Sequence, residues 1–155
     1  MKRWLWYAVA LALILAVSAE SYAGSDVGEL QPVRTLRVSE QAGTILVETD
    51  TGELGEGDTL DAAFRNMEET ALGKLFLDTA EYLLIAPGCV ELIPKLTEYL
   101  RPSCCVCLTE GDVDLMQVGQ FLQIHPPDRT LMEYRAGLNQ VPLLKGFDGR
   151  MELVP

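Results

Sequence analysis

Tyr82-Leu83-Leu84-Ile85-Ala86, stopped by Pro87-Gly88, is the stretch on which the fold turns. Five consecutive apolar residues leave no polar face, so a strand here has to be covered on both sides, as in the centre of a parallel sheet. Cys104-Cys105-Val106-Cys107-Leu108 is a second run of the same kind. Between the two, Leu92, Ile93, Leu96, Tyr99 and Leu100 recur at helical spacing up to Arg101-Pro102, which predicts an amphipathic helix.

Upstream, residues 34–39 alternate with Leu36 and Val38 on one face, and residues 44–49 are mostly β-branched and apolar. With Gln41-Ala42-Gly43 between them, they predict a hairpin. Residues 51–57 are rich in glycine and acid and read as a loop. Asp58 is placed to cap a helix carrying the stripe Leu60, Ala63, Phe64, Met67 and Ala71, which Gly73 would close. Downstream, residues 114–122 predict a helix burying Leu115, Val118 and Leu122, broken at His125-Pro126-Pro127. Asp128 is placed to cap a short helix through Arg135 with Gly137 after it, and residues 143–154 read as one more strand. Strand, helix, strand, helix, strand predicts an α/β fold: a small mixed or parallel sheet with crossover helices and an N-terminal β-hairpin.

Residues 1–23 have the three parts of a secretory signal. Lys2 and Arg3 precede an apolar stretch over 4–19, and Ser21-Tyr22-Ala23 puts small residues before a break at Gly24. The stretch is shorter than the roughly 20 residues a bilayer crossing needs. Cleavage after Ala23 is the first expectation. A second cut site follows Val17-Ser18-Ala19, and an uncleaved anchor with Trp4, Trp6 and Tyr7 at the interface is the alternative. No cysteine precedes Cys89, which leaves no residue for an N-terminal lipid. Residues 24–33 read as a flexible lead-in, and residues 34–155 as a single domain.

The whole chain of 155 residues carries a formal charge of −11. Removing residues 1–23 leaves ten basic and twenty-two acidic residues, a charge of −12. Such a surface is repelled by nucleic acid and anionic lipid, so neither is expected as a partner; membrane contact would run only through residues 4–19 if they stay uncleaved. Glu53, Glu56, Asp58 and Asp61 cluster without the spacing of a calcium loop. Gly52, Gly55 and Gly57 precede a helix, but the carboxylates among them would repel phosphate.

The four cysteines, Cys89, Cys104, Cys105 and Cys107, are the main candidates for chemistry. On a strand, Cys105 and Cys107 share one face while Cys104 lies with Val106 on the other, which does not converge as zinc ligands must. Three readings remain: apolar core thiols, one disulfide between Cys89 and the triplet, or a metal or redox thiol site. The Cys104 to Cys107 spacing matches a redox pair, yet a strand lacks the helix N-terminus that lowers a thiol pKa. His125 stands alone in a rigid loop with no nucleophile context of the Gly-x-Ser-x-Gly kind. No catalytic residue, cofactor or metal is expected.

Certain local words resemble the N-terminal domain of the Ger(x)C family, the C subunits of spore germinant receptors. Gly57-Asp58-Thr59-Leu60-Asp61-Ala62-Ala63 is similar to that family's glycine-x-Ser/Thr-x-x-x-alanine helix start. Leu75-Phe76-Leu77 through residues 82–86 is similar to its following strand, and residues 96–101 leading into Cys105-Val106-Cys107-Leu108-Thr109-Glu110-Gly111 to its helix, arginine, strand and glycine. The likeness spans residues 34–122. Members of the family are lipoproteins that continue into further domains; here no lipid-bearing cysteine occurs and the sequence ends at Pro155. The resemblance implies a non-enzymatic, envelope or spore-associated module that acts by contact with a protein partner in the envelope or membrane, and it supplies no catalytic residues.

Overall fold

The computed structural model describes residues 30–138, 140–147 and 150–154. The signal expected over residues 1–23 and the first part of the lead-in lie outside them. Nine strands form, β1 (Leu30–Pro32), β2 (Thr35–Gln41), β3 (Thr44–Thr49), β4 (Leu54–Gly57), β5 (Lys74–Phe76), β6 (Tyr82–Ile85), β7 (Cys105–Thr109), β8 (Leu143–Phe147) and β9 (Arg150–Val154), together with four α-helices among the described residues. The helices are α1 (Leu60–Thr70), α2 (Ile93–Leu96), α3 (Leu115–Ile124) and α4 (Leu131–Arg135).

A seven-stranded sheet runs β4-β3-β2-β6-β7-β8-β9. Its centre is parallel: β6 lies between β2 and β7, and β8 extends the parallel set from β7. Both flanks are antiparallel, through β3 and β4 on one side and β9 on the other. The fold is therefore α/β with a mixed sheet, as the two apolar runs and the opening hairpin predict. All four residues of β6 are buried. Alternation divides them, with Leu83 and Ile85 in the larger core and Tyr82 and Leu84 in the smaller one. The larger core packs α1, α2 and α4 against one face of the sheet; α3 covers the other through Val118 and Leu122. In the hairpin turn Ala42 and Gly43 both take left-handed angles, φ 52° and 83°. That is the geometry that matches the twist of two paired strands.

Several local expectations are corrected. The lead-in is not flexible at its end: residues 30–32 form β1, which pairs with β5, and Val33 is fully buried. Residues 51–57 are not all loop, because 54–57 form β4. The glycines there serve close approach: a Cβ on Gly57 would sit 2.6 Å from the Ala63 nitrogen, and one on Gly55 would run into the Ala63 carbonyl. The amide of Glu56, on the outer strand β4, donates to Asn66 Oδ1 of α1 at 3.0 Å. Thr59, not Asp58, caps α1, its hydroxyl accepting from the Ala62 amide at 3.2 Å. That helix ends at Thr70, before Gly73. Thr130, not Asp128, caps α4, in a reciprocal capping box with Glu133.

The helix expected over residues 92–100 is only a 3-10 segment, Pro87–Leu92, followed by the single turn α2. Pro87 and Pro94 each stand at the start of a short segment, where a missing N–H does no harm. Neither supplies the continuous donor ladder a longer helix needs. Ile93, Leu96 and Leu100 are buried all the same. Tyr99 stacks on Phe64, ring centres 4.1 Å apart. Asp61 accepts from the Tyr99 hydroxyl and, at 2.6 Å, from Lys95, which ties α1 to this segment. Residues 143–154 supply two strands rather than one.

Candidate functional site

Of the three readings of the cysteines, the metal or redox thiol site does not assemble and no disulfide forms among them. All four cysteines are free, and Cys89, Cys104 and Cys107 are buried while Cys105 is half-buried. Cys104 belongs with Val106 to the larger core and Cys107 to the smaller, with Cys105 packed beside it, so the sheet separates them as strand alternation requires. Burial pushes every thiol upward, Cys104 to about 12. Protonated thiols are poor nucleophiles and poor metal ligands. Among the described residues no group of three or more His, Cys, Asp or Glu is placed to hold a metal ion. Asp61 of the acidic cluster is engaged by Lys95 and Tyr99, which hold its carboxyl below the usual range. His125 caps the end of α3 in an exposed position, its ring 4.9 Å from that of Phe121.

A different site emerges on the sheet face that α3 covers only in part. Arg37 of β2 projects there, nearly buried, and its guanidinium holds two walls together. Nη1 donates to Glu48 at 3.2 Å on the neighbouring strand β3 and to Asp112 at 3.0 Å in the loop after β7. Nη2 donates to the Gly111 carbonyl at 2.6 Å. An arginine fork fits this role because its planar donors can serve three acceptors at once.

Between those walls lies a hollow of about 270 Å³, formed by the β3–β4 turn and the start of α3. Glu48, Asp50, Glu53 and Asp114 bring four carboxylates to its lining, and among the described residues no lysine or arginine lines it. Its apolar parts are Leu54, Leu115 and Met116. Leu54 and Met116 are 44% and 62% exposed. Beside the same turn, Leu72, whose amide donates to Glu53 Oε1 at 3.4 Å, is 95% exposed. Exposed leucines and methionines gathered on one patch mark interaction surfaces more often than singly scattered ones do.

The turn that forms one wall is held from within. The Glu53 amide donates to Thr49 Oγ1 at 3.1 Å, the Gly52 amide to the Thr49 carbonyl at 3.0 Å, and the Arg34 amide to Asp50 Oδ1 at 3.1 Å. Asp114 fixes the other wall, capping α3 by accepting from the Met116 and Gln117 amides at 2.9 and 3.2 Å. A second hollow of about 130 Å³ shares Asp50 and Met116 with the first and continues along α3 past Gly119 to Gln123. Thr35 lines it, fully buried, and its Oγ1 has no hydrogen-bond partner among the described residues. Gly119 permits this packing, since a Cβ there would approach Thr35 Oγ1 to 2.6 Å.

No protein-family model, curated protein or solved structure matches this chain. The site is thus read from its own chemistry. It holds carboxylates, exposed apolar side chains and a pinned turn.

The residues of this groove lie far apart in the sequence, and only Glu53, weighed for calcium, and Gly52, weighed for phosphate, stand out there for chemistry. One signal is present: Arg37 stands between apolar Leu36 and Val38 in the first strand of the hairpin. A charge at such a position has to find partners on the covered face.

Proposed function

We propose that this protein is an exported, non-enzymatic module of the cell envelope or spore that acts by contact with a protein partner. The observation that carries this reading is the groove between the β3–β4 turn and α3. It brings exposed Leu54 and Met116 together with four carboxylates in one hollow whose turn is held from within. An apolar centre inside a polar rim is the general anatomy of a protein-binding surface. The likeness to the first domain of Ger(x)C proteins points the same way, to an envelope partner and to a role in germination. The alternative, an exported thiol protein using Cys104 to Cys107, is disfavoured by thiols that burial keeps protonated.

A photo-reactive amino acid placed at Met116 in cells producing the protein tests this reading, with Glu91 on the opposite side of the sheet as the control position. The expected result is a single cross-linked envelope or membrane protein from position 116 and none from 91, with production rising during sporulation. Absence of any protein cross-link from the exposed surface, together with flat production through sporulation, would sink the reading. N-terminal sequencing of the same material reports the export step: Gly24 means release, Met1 means anchoring.

A further inference from the structure

The groove narrows the choice of partner, on the assumption that the protein does act by protein contact. We infer that the segment it receives is cationic and amphipathic, a stretch of an envelope protein that alternates lysine or arginine with aliphatic residues. Two independent features impose this. The first is charge: Glu48, Asp50, Glu53 and Asp114 face one hollow that no lysine or arginine lines among the described residues. Glu48, Asp50 and Glu53 each accept one internal hydrogen bond and Asp114 accepts two, yet a carboxylate offers about four acceptor positions. Capacity therefore remains for ammonium or guanidinium donors.

The second feature is the unburied apolar surface of Leu54 and Met116 in the same hollow as these carboxylates. A small inorganic cation has no use for that surface, and a purely polar polycation leaves it wet. An amphipathic segment satisfies both. The continuing hollow along α3 adds a polar requirement, because Thr35 Oγ1 is buried at its lining without a partner. Methionine at the centre of such a surface accommodates more than one aliphatic shape.

The test uses the exported protein labelled for amide NMR and three short peptides of equal length: lysine alternating with leucine, lysine alternating with serine, and glutamate alternating with leucine. The lysine–leucine peptide is expected to shift the amides of Gly52, Glu53 and Met116 and to bind at least about tenfold more tightly than either control. Met116→Ser and Glu53→Lys should each weaken it by about tenfold, whereas Glu91→Lys, on the far side of the sheet, should change it by less than about twofold. Equal binding of the lysine–serine peptide, or equal weakening by Glu91→Lys, overturns the inference, since attraction would then come from net charge alone. Saturation of the same amides by calcium alone, blocking the peptide, also overturns it. A partner cross-linked from elsewhere on the surface but not from position 116 would leave the protein-contact reading standing and remove this one.

Discussion

Cys104 and Cys107 sit in cores on opposite faces of the sheet, and that placement decides their chemistry. Native protein treated with a thiol alkylating reagent should label at Cys105 first, with Cys89, Cys104 and Cys107 protected until the chain unfolds; mass spectrometry before and after denaturation reads this. Four labels on the native protein would contradict the burial described. The raised pKa values also have a sign. The unfolded chain ionises its thiols near the ordinary value of 9.0, while folded Cys104 waits until about 12. The stabilisation is whole below pH 9 and is lost as pH rises from there towards 12, so the urea midpoint should fall across that window. Strand alternation made the split between Cys104 and Cys105–Cys107 legible in the sequence. Pairing with Cys89 was not legible, because a disulfide depends on the distance between Cα atoms and spacing along the chain does not give that distance.

At the scale of elements, β4 and α1 form one unit whose fit depends on missing side chains. Gly55→Ala puts a methyl group into the Ala63 carbonyl and should destabilise the fold by about 1–3 kcal/mol, measured by urea unfolding. The same change at exposed Gly146, where a Cβ meets nothing, should be near neutral. Glycine-rich sequence reads as loop because glycine is common in loops, and only the helix lying against it reveals the other use. Caps were misread by one or two positions for a related reason. Asp58 and Asp128 are good caps by type, but Thr59 and Thr130 are the residues whose backbone is extended where each helix begins. Thr130→Ala removes the hydroxyl half of the α4 capping box and should cost about 1 kcal/mol in the same assay. The apolar stripe over 92–100 marked the inward side: Ile93, Leu96 and Leu100 are buried, and Leu92 and Tyr99 partly so. It could not tell a 3-10 turn from an α turn, whose periods differ little over so short a stretch.

For the whole molecule, acid is the informative stress. Lys95 and Tyr99 hold Asp61 below its ordinary value, and the Thr130 amide and hydroxyl do the same for Glu133. Depressed carboxyl pKa values contribute stability that is present above the unfolded values of 3.8 and 4.5 and is lost as pH falls through the folded ones. Thermal midpoints should therefore drop below pH 4.5. Asp61→Asn together with Glu133→Gln should flatten that drop, and an unchanged acid profile would count against both contacts. That β6 and β7 are inner strands was legible because the runs 82–86 and 104–108 carry no polar face. The groove was not, because its walls come from a turn after β3 and a helix after β7 that meet only once the parallel strands are laid between them.

The bond from the Glu56 amide to Asn66 has a consequence for life at high concentration. β4 borders the sheet, and a border strand with free amides is a template on which another chain can add, the first step towards fibrils. Asn66 occupies one of those amides with a side chain from the same molecule, and the close seating of α1 leaves little room for a foreign strand. Growth from this border is thereby discouraged, beside whatever the charge of exposed Glu56 on the same strand contributes. An Asn66→Ala protein, equally folded, should form thioflavin-positive aggregates sooner than its parent on prolonged shaking.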